Sequence, residues 1–178
     1  MGTIFVDNLE PQSGTSLTLG ASGDAINLAT GATAGFGKIG QVLSTTKTDS
    51  FNTTSTSYVD LTGITLNITP SATTSKILIS LSLSCQLSQA NNQVYYLKLV
   101  RGSTAIGGSS SDDAFRMSYS ASIYVPQQVD FQFLDTPSLI SQQTYKVQIK
   151  TSGDTFYLNR NASGTTSCSS FTVMEVLA

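Results

Sequence analysis

Alternation of apolar and polar side chains with a period of two runs through most of the chain from residue 38 onward. Thr62 to Thr69 sets Ile64, Leu66 and Ile68 on one face and Thr65, Asn67 and Thr69 on the other before Pro70-Ser71 closes the run, as a half-buried strand requires. Lys76 to Leu87 repeats the pattern for longer, with Ile77, Ile79, Leu81, Leu83 and Cys85 against Leu78, Ser80, Ser82 and Ser84, and reads as a central strand. In Gln93 to Arg101, Val94, Tyr96, Lys98 and Val100 oppose Tyr95, Leu97 and Leu99, and a turn follows at Gly102-Ser103-Thr104. Further strands are predicted at Ile39 to Thr46, Phe115 to Val125, Gln127 to Leu134, Tyr145 to Thr151, Thr155 to Leu158 and Phe171 to Leu177. About nine short strands, Gly/Ser/Asp loops and no amphipathic helix predict an all-β fold, an antiparallel β-sandwich of jelly-roll-like type.

Residues 1–37 follow a different rhythm. The apolar groups Ile4-Phe5-Val6, Leu17/Leu19 and Ile26/Leu28 are separated by turns at Gln12-Ser13-Gly14, Gly20 to Asp24 and Thr30-Gly31-Ala32. Strands this short enclose no core of their own. The reading is an extended N-terminal arm that borrows a neighbour's core, with a disordered leader as the alternative, and residues 38–178 form the sandwich. Gly35-Phe36-Gly37-Lys38-Ile39-Gly40 matches G-x-G-x-x-G in letters. It lacks the preceding buried strand and the following helix that a dinucleotide site needs, so it reads as a junction between arm and sandwich.

Composition changes the picture in one respect above all. Charged residues are 11% of the 178, whereas Ser and Thr number 27 and 24, a balance that suits strands, turns and flat polar surfaces. With so little charge, sheet edges and hydroxyl faces are an association hazard, and a closed oligomer is expected to cover them. Nine Lys and Arg against eleven Asp and Glu give a net charge of -2, with no basic run to neutralise a row of phosphates, so nucleic acid is not an expected partner. No apolar run approaches the roughly 20 residues that span a bilayer. The opening Met-Gly-Thr-Ile-Phe-Val-Asp lacks the basic and apolar regions of an export signal, which predicts a chain made in the cytoplasm.

Chemistry has little to work with. There is no His, the commonest general base and transition-metal ligand, so no enzyme activity and no cofactor or metal is expected. Cys85 and Cys168 read as half-buried thiols that pack as small hydrophobes, a disulfide between neighbouring strands being the alternative. The sequons at Asn52, Asn67 and Asn161 read as by-products of a Ser/Thr-rich chain. Asp112 and Asp113 lie in a Gly/Ser loop without the ligand spacing of a calcium site. Asp130 and Asp135 stand about 17 Å apart on an extended strand, too far to work as a pair. Tyr95, Tyr119 and Tyr124, with Asp112 and Asp113, are the candidate surface for sugar or protein, because a phenol offers both area and direction; core packing is the competing role for the tyrosines.

At Val6-Asp7-Asn8-Leu9-Glu10-Pro11-Gln12-Ser13-Gly14-Thr15-Ser16-Leu17-Thr18-Leu19-Gly20 and at Thr62 to Ile79, whose Asn67-Ile68-Thr69-Pro70-Ser71-Ala72-Thr73-Thr74-Ser75-Lys76 joins two strands, the chain resembles virion structural proteins of tailed bacteriophages, especially those of aquatic hosts. The closing Phe171 to Leu177 extends the likeness over nearly the whole chain. The resemblance implies a short fibre, spike or head-decoration protein, typically a homotrimer. Its arm, through Ile4, Phe5, Val6, Leu17, Leu19, Ile26 and Leu28, would dock on the capsid or tail, and its β-rich head would face outward for adhesion or shell stabilisation. A shaft is nearly lacking here, which disfavours a long tail fibre. A carbohydrate-binding tip that recognises host surface glycan is the second reading, and a depolymerase the third.

Overall fold

The computed structural model describes residues 38–87, 93–108, 115–119, 126–160 and 167–177. The arm and its apolar residues therefore lie outside the described residues. Lys38–Ala178 is one compact unit. Eleven strands occur among the described residues: β1 (Ile39–Lys47), β2 (Phe51–Thr53), β3 (Val59–Ile68), β4 (Lys76–Leu87), β5 (Gln93–Arg101), β6 (Thr104–Ile106), β7 (Phe115–Tyr119), β8 (Pro126–Asp135), β9 (Gln143–Thr151), β10 (Phe156–Leu158) and β11 (Ser169–Val176). The fold is an all-β antiparallel sandwich.

The order of strands follows from which edges are occupied. In sheet I, β8 takes one edge of β4 along Ile77–Gln86. The other edge is shared end to end by β11, opposite Lys76–Ser82, and β10, opposite Cys85–Leu87. Outside these run β1 against β11 and β2 against β10. In sheet II, β9 takes one edge of β5, and β7 and β6 share the other; β3 lies outside β9. Counting β1/β2, β6/β7 and β10/β11 as single lanes gives eight lanes in chain order, arranged 1-8-3-6 in sheet I and 2-7-4-5 in sheet II. That interleaving of two four-lane sheets is the jelly roll.

Inward positions are those that the alternation assigns. Ile77, Ile79, Leu81, Leu83 and Cys85 of β4 face Tyr95, Leu97 and Leu99 of β5 and Tyr145, Val147 and Ile149 of β9 in one buried cluster. Phe171 and Val173 complete sheet I's contribution, and the Tyr95 ring meets Phe156 at 5.7 Å between centroids. The period of two breaks once on β3. A bulge between Asp60 and Thr65 lets Leu61 and Ile64, three apart, both point inward. Gly63 sits at the bulge with φ +87, a conformation open to glycine at little cost, and the stem of Lys47 packs over it.

One end of the sandwich is held by two buried carboxylates that face inward on either side of Ile77, with which both are paired across sheet I. Asp135 accepts from Arg101 Nη1 at 2.7 Å and from the Tyr145 hydroxyl at 2.6 Å, tying β8 of sheet I to β5 and β9 of sheet II. Burial first, and then the Asp135 carboxylate, push the Tyr145 phenol well above its ordinary range. Glu175 accepts from Gln41 Nε2 at 2.7 Å and from the Ser71 amide and hydroxyl at 2.6 Å each, which joins β11, β1 and the β3–β4 turn. Burial pushes the Glu175 carboxyl up, but the hydrogen bonds outweigh it and hold the group below its ordinary 4.5. At the other end Asn159, fully buried with φ +56, donates to the Lys47 and Asp49 carbonyls and accepts from the Ser169 hydroxyl.

The strand count differs from the expected nine because β2 and β6 are three residues each, too short to display a period. The predicted strand from Phe115 ends at Tyr119 in the described part, and 120–125 lie outside it.

Two outcomes follow for stability. Replacing Asp135 with Ala strands Arg101 and Tyr145 without their acceptor and is expected to cost about 2 to 3 kcal/mol, read as a lowered urea midpoint, with Asp135→Asn costing less. A lowered folded pKa stabilises the native state above the unfolded value and loses that contribution as pH falls through the folded value. Stability should therefore decline below pH 4.5, and Glu175→Gln should flatten that decline while lowering stability at neutral pH, measured by urea unfolding across the acid range.

Candidate functional surfaces

The alternation that fills the core also decides what each sheet shows to the outside, and the two outer faces differ. On sheet I, register aligns the outward residues in rows across four lanes. Val42, Met174, Leu78 and Leu134 form one row, Ser44, Thr172, Ser80 and Gln132 the next, and Thr46, Ser170, Ser82 and Asp130 a third. Across these three rows Asp130 is the single charge. Val42 and Leu134 are 56% and 46% exposed, and Ile39 at the start of β1 is 47% exposed. Hydroxyls bond laterally, Ser44 with Thr172 at 2.8 Å and Ser82 to Asp130 at 2.6 Å. The result is a flat face of hydroxyls bordered by a line of apolar side chains.

Sheet II presents cations and rings. Tyr96 of β5 is paired with Lys150 of β9 and with Arg116 of β7, and Tyr58 precedes Val59, the partner of Ile149. One row across the sheet therefore reads Tyr58, Lys150, Tyr96, Arg116. Lys150 Nζ lies 4.4 Å from the Tyr58 centroid and 4.7 Å from that of Tyr96, the Arg116 guanidinium 5.6 Å from Tyr96, and Lys98 Nζ 3.9 Å from Tyr58. These are cation–π distances. In the neighbouring row Asp60 accepts from Lys146 at 2.9 Å and from Gln148 at 2.7 Å. The Gln148 hydrogen bond and then Lys146 lower the Asp60 pKa. Four of the nine Lys and Arg thus share this face, with Asp60 the one acid among its described residues.

The residues expected to form a sugar or protein surface are not brought together. Tyr95 is fully buried and corrects the expectation: it shares its face with Leu97 and Leu99 and donates its hydroxyl to the Thr155 carbonyl at 3.2 Å. Tyr119 ends β7 opposite Gln93, while Tyr124, Asp112 and Asp113 lie outside the described residues. Asp130 and Asp135, an odd number of positions apart on β8, point to opposite faces, the first toward Ser82 and the second into the sandwich. Among the described residues no group of three His, Cys, Asp or Glu could hold a metal ion, and no helix is long and apolar enough to cross a membrane. The surface residues that matter on sheet II come from four separate stretches of chain. Only the parity of Tyr96 and Lys98 against Leu97 and Leu99 marked any of them in advance.

Topology and faces together define a jelly-roll sandwich with two chemically distinct outer surfaces. No family model matches the chain, and no curated protein matches it. Among solved structures it is similar to the VP2 subviral particle protein of infectious bursal disease virus, at 12% identity and a TM-score of 0.43 over 86% of this chain and 37% of that one. It is also similar to the structure of the Gx strain of the same virus, at 15% identity and a TM-score of 0.40 over 86% and 46%. The chain spans less than half the length of either.

The two thiols part company: Cys85 is buried and Cys168 exposed, and both are free. Burial pushes the Cys85 thiol far above its ordinary range, which makes it inert. A thiol reagent is expected to modify Cys168 in the native protein and to reach Cys85 only after denaturant is added; modification of both at equal rates would contradict the fold.

Proposed function

We propose that the protein is a structural component of a bacteriophage virion, a short trimeric fibre, spike or decoration protein. Residues 1–37 anchor it to capsid or tail, and the sandwich of residues 38–178 is its exposed head, working by burial of shared surface and without catalysis. The observation that carries this reading is the outer face of sheet I. Three rows spanning four lanes with one charge leave little electrostatic cost to packing against another copy, and the Val42 to Leu134 row supplies apolar area to bury. The jelly-roll topology and the resemblance at Val6 to Gly20 and Thr62 to Ile79 support it. Both well-buried carboxylates of the described sandwich, Asp135 and Glu175, are engaged in holding strands together, which leaves neither poised for acid–base work.

Light scattering on the full chain at low micromolar concentration tests the reading. A trimer is expected, and a variant carrying both Val42→Lys and Leu134→Lys should shift toward monomer while keeping its circular dichroism. A parent chain that stays monomeric at every concentration would sink the assembly model.

A further inference from the structure

We infer that the β8–β9 loop is the counterpart of the outer face of sheet I: its exposed pair Leu139 and Ile140 docks on the Val42, Met174, Leu78 and Leu134 row of a second copy of this chain. This rests on the assembly reading above and adds to it the part of the neighbour that the face meets.

The loop is anchored on both sides of that pair. Thr136 to Gln142 joins β8 to β9 without a charged residue. On the β8 side Asp135 is held by Arg101 and Tyr145, and Pro137 is buried. On the β9 side the buried Gln143 turns its Nε2 back into the loop, donating to the Ser141 carbonyl at 3.0 Å and to the Ser141 hydroxyl and Gln142 carbonyl at 3.1 Å each. Between these anchors Ser138 takes φ +54, a conformation that residues other than glycine rarely adopt and that persists only where the surroundings impose it. Leu139 and Ile140 are then 46% and 62% exposed, and Ile140 is the most exposed large hydrophobic among the described residues. Loop tips are ordinarily built from Gly, Pro, Asn, Asp and Ser. Two adjacent aliphatic side chains on an anchored and strained tip gain nothing from water and are placed for contact.

Symmetry and charge decide what the pair meets. A face that packs on the same face of another copy closes at two chains, whereas a ring of three needs two unlike patches on every chain. The described residues supply two: the exposed large hydrophobics are Ile39, Val42 and Leu134 on sheet I, and Leu139 and Ile140 on the loop. Packing face on face would leave the loop pair in water, but packing loop on face covers all five in one contact. Together they expose on the order of 400 Å² of apolar surface, the size of patch that marks an interaction site. The hydroxyl rows beside them extend the contact toward the roughly 800 Å² per partner of a stable interface. Lanes about 4.8 Å apart make the four-residue row about 15 Å long, room for two adjacent side chains. The charges also match, because the uncharged loop would meet three rows whose one charge, Asp130, already accepts from Ser82 at 2.6 Å, so little is lost on excluding water.

Light scattering on the full chain carrying Leu139→Ser and Ile140→Ser tests the inference. This variant is expected to fall from the mass of three chains to that of one at concentrations where the parent is trimeric. Its circular dichroism spectrum should not change, because both side chains already stand in water, and Ile140→Lys alone should have the same effect. Mixed with the protein that carries Val42→Lys and Leu134→Lys, the loop variant should form a species of two chains at high micromolar concentration, since one protein supplies an intact face and the other an intact loop. A loop variant that stays trimeric while the face variant dissociates would overturn the inference and leave the assembly reading standing. A mixture of the two variants that stays monomeric would do the same. A monomeric parent would overturn both.

Discussion

β4 is paired along both edges over most of its length, with β8 along Ile77–Gln86 on one side and with β11 at Lys76–Ser82 and β10 at Cys85–Leu87 on the other. The remaining architecture of sheet I follows from that saturation. A strand with no open edge has one register in which its five inward side chains meet the core, because a slip of one residue would turn Ile77, Ile79, Leu81, Leu83 and Cys85 toward solvent. With β4 fixed, β11 is fixed, and β1 is placed against it. The same register lines up the outward residues, so the rows on the outer face of sheet I are a by-product of how the core is filled.

The two outer faces divide the surface chemistry between them. Sheet I shows hydroxyls and a line of apolar side chains, and sheet II shows cations held against tyrosine rings. Neither face needs charge from the loops to be distinct. The difference lies in what the polar half of each alternating strand carries: Ser and Thr on β4 and β11, but Lys, Gln and Tyr on β5 and β9. A molecule built in this way can bury one face against copies of itself and keep the other for a different kind of contact.

Much of the sandwich was legible because period-two alternation is a direct image of a sheet with one dry side. The inward set of β4 was legible residue by residue, and on β5 the alternation separated the two faces. The start of β3 could not, since the bulge at Gly63 puts Leu61 and Ile64 on the same face and breaks the period. The strands β2 and β6 carry too few residues to show any pattern. The cation–tyrosine row was hidden for another reason: residues 58, 96, 98, 116 and 150 meet only through register between strands distant in sequence. Tyr95 stands in line with Leu97 and Leu99, and that parity already favours the core role that its burial shows.

Every connection between successive lanes of the jelly roll except that from β5 to the β6/β7 lane crosses from one sheet to the other, and β11 lies between β1 and β4. During synthesis, at about 5–20 residues per second, β1 emerges first of the described strands and waits for a partner encoded at Ser169–Val176. Until then it is an unpaired edge bearing Val42, the kind of segment that recruits the same strand from a nascent chain on the next ribosome. Polysomes translating this message would hold many such edges close together, so the order in which the strands leave the ribosome sets a race between closing the sandwich and aggregating.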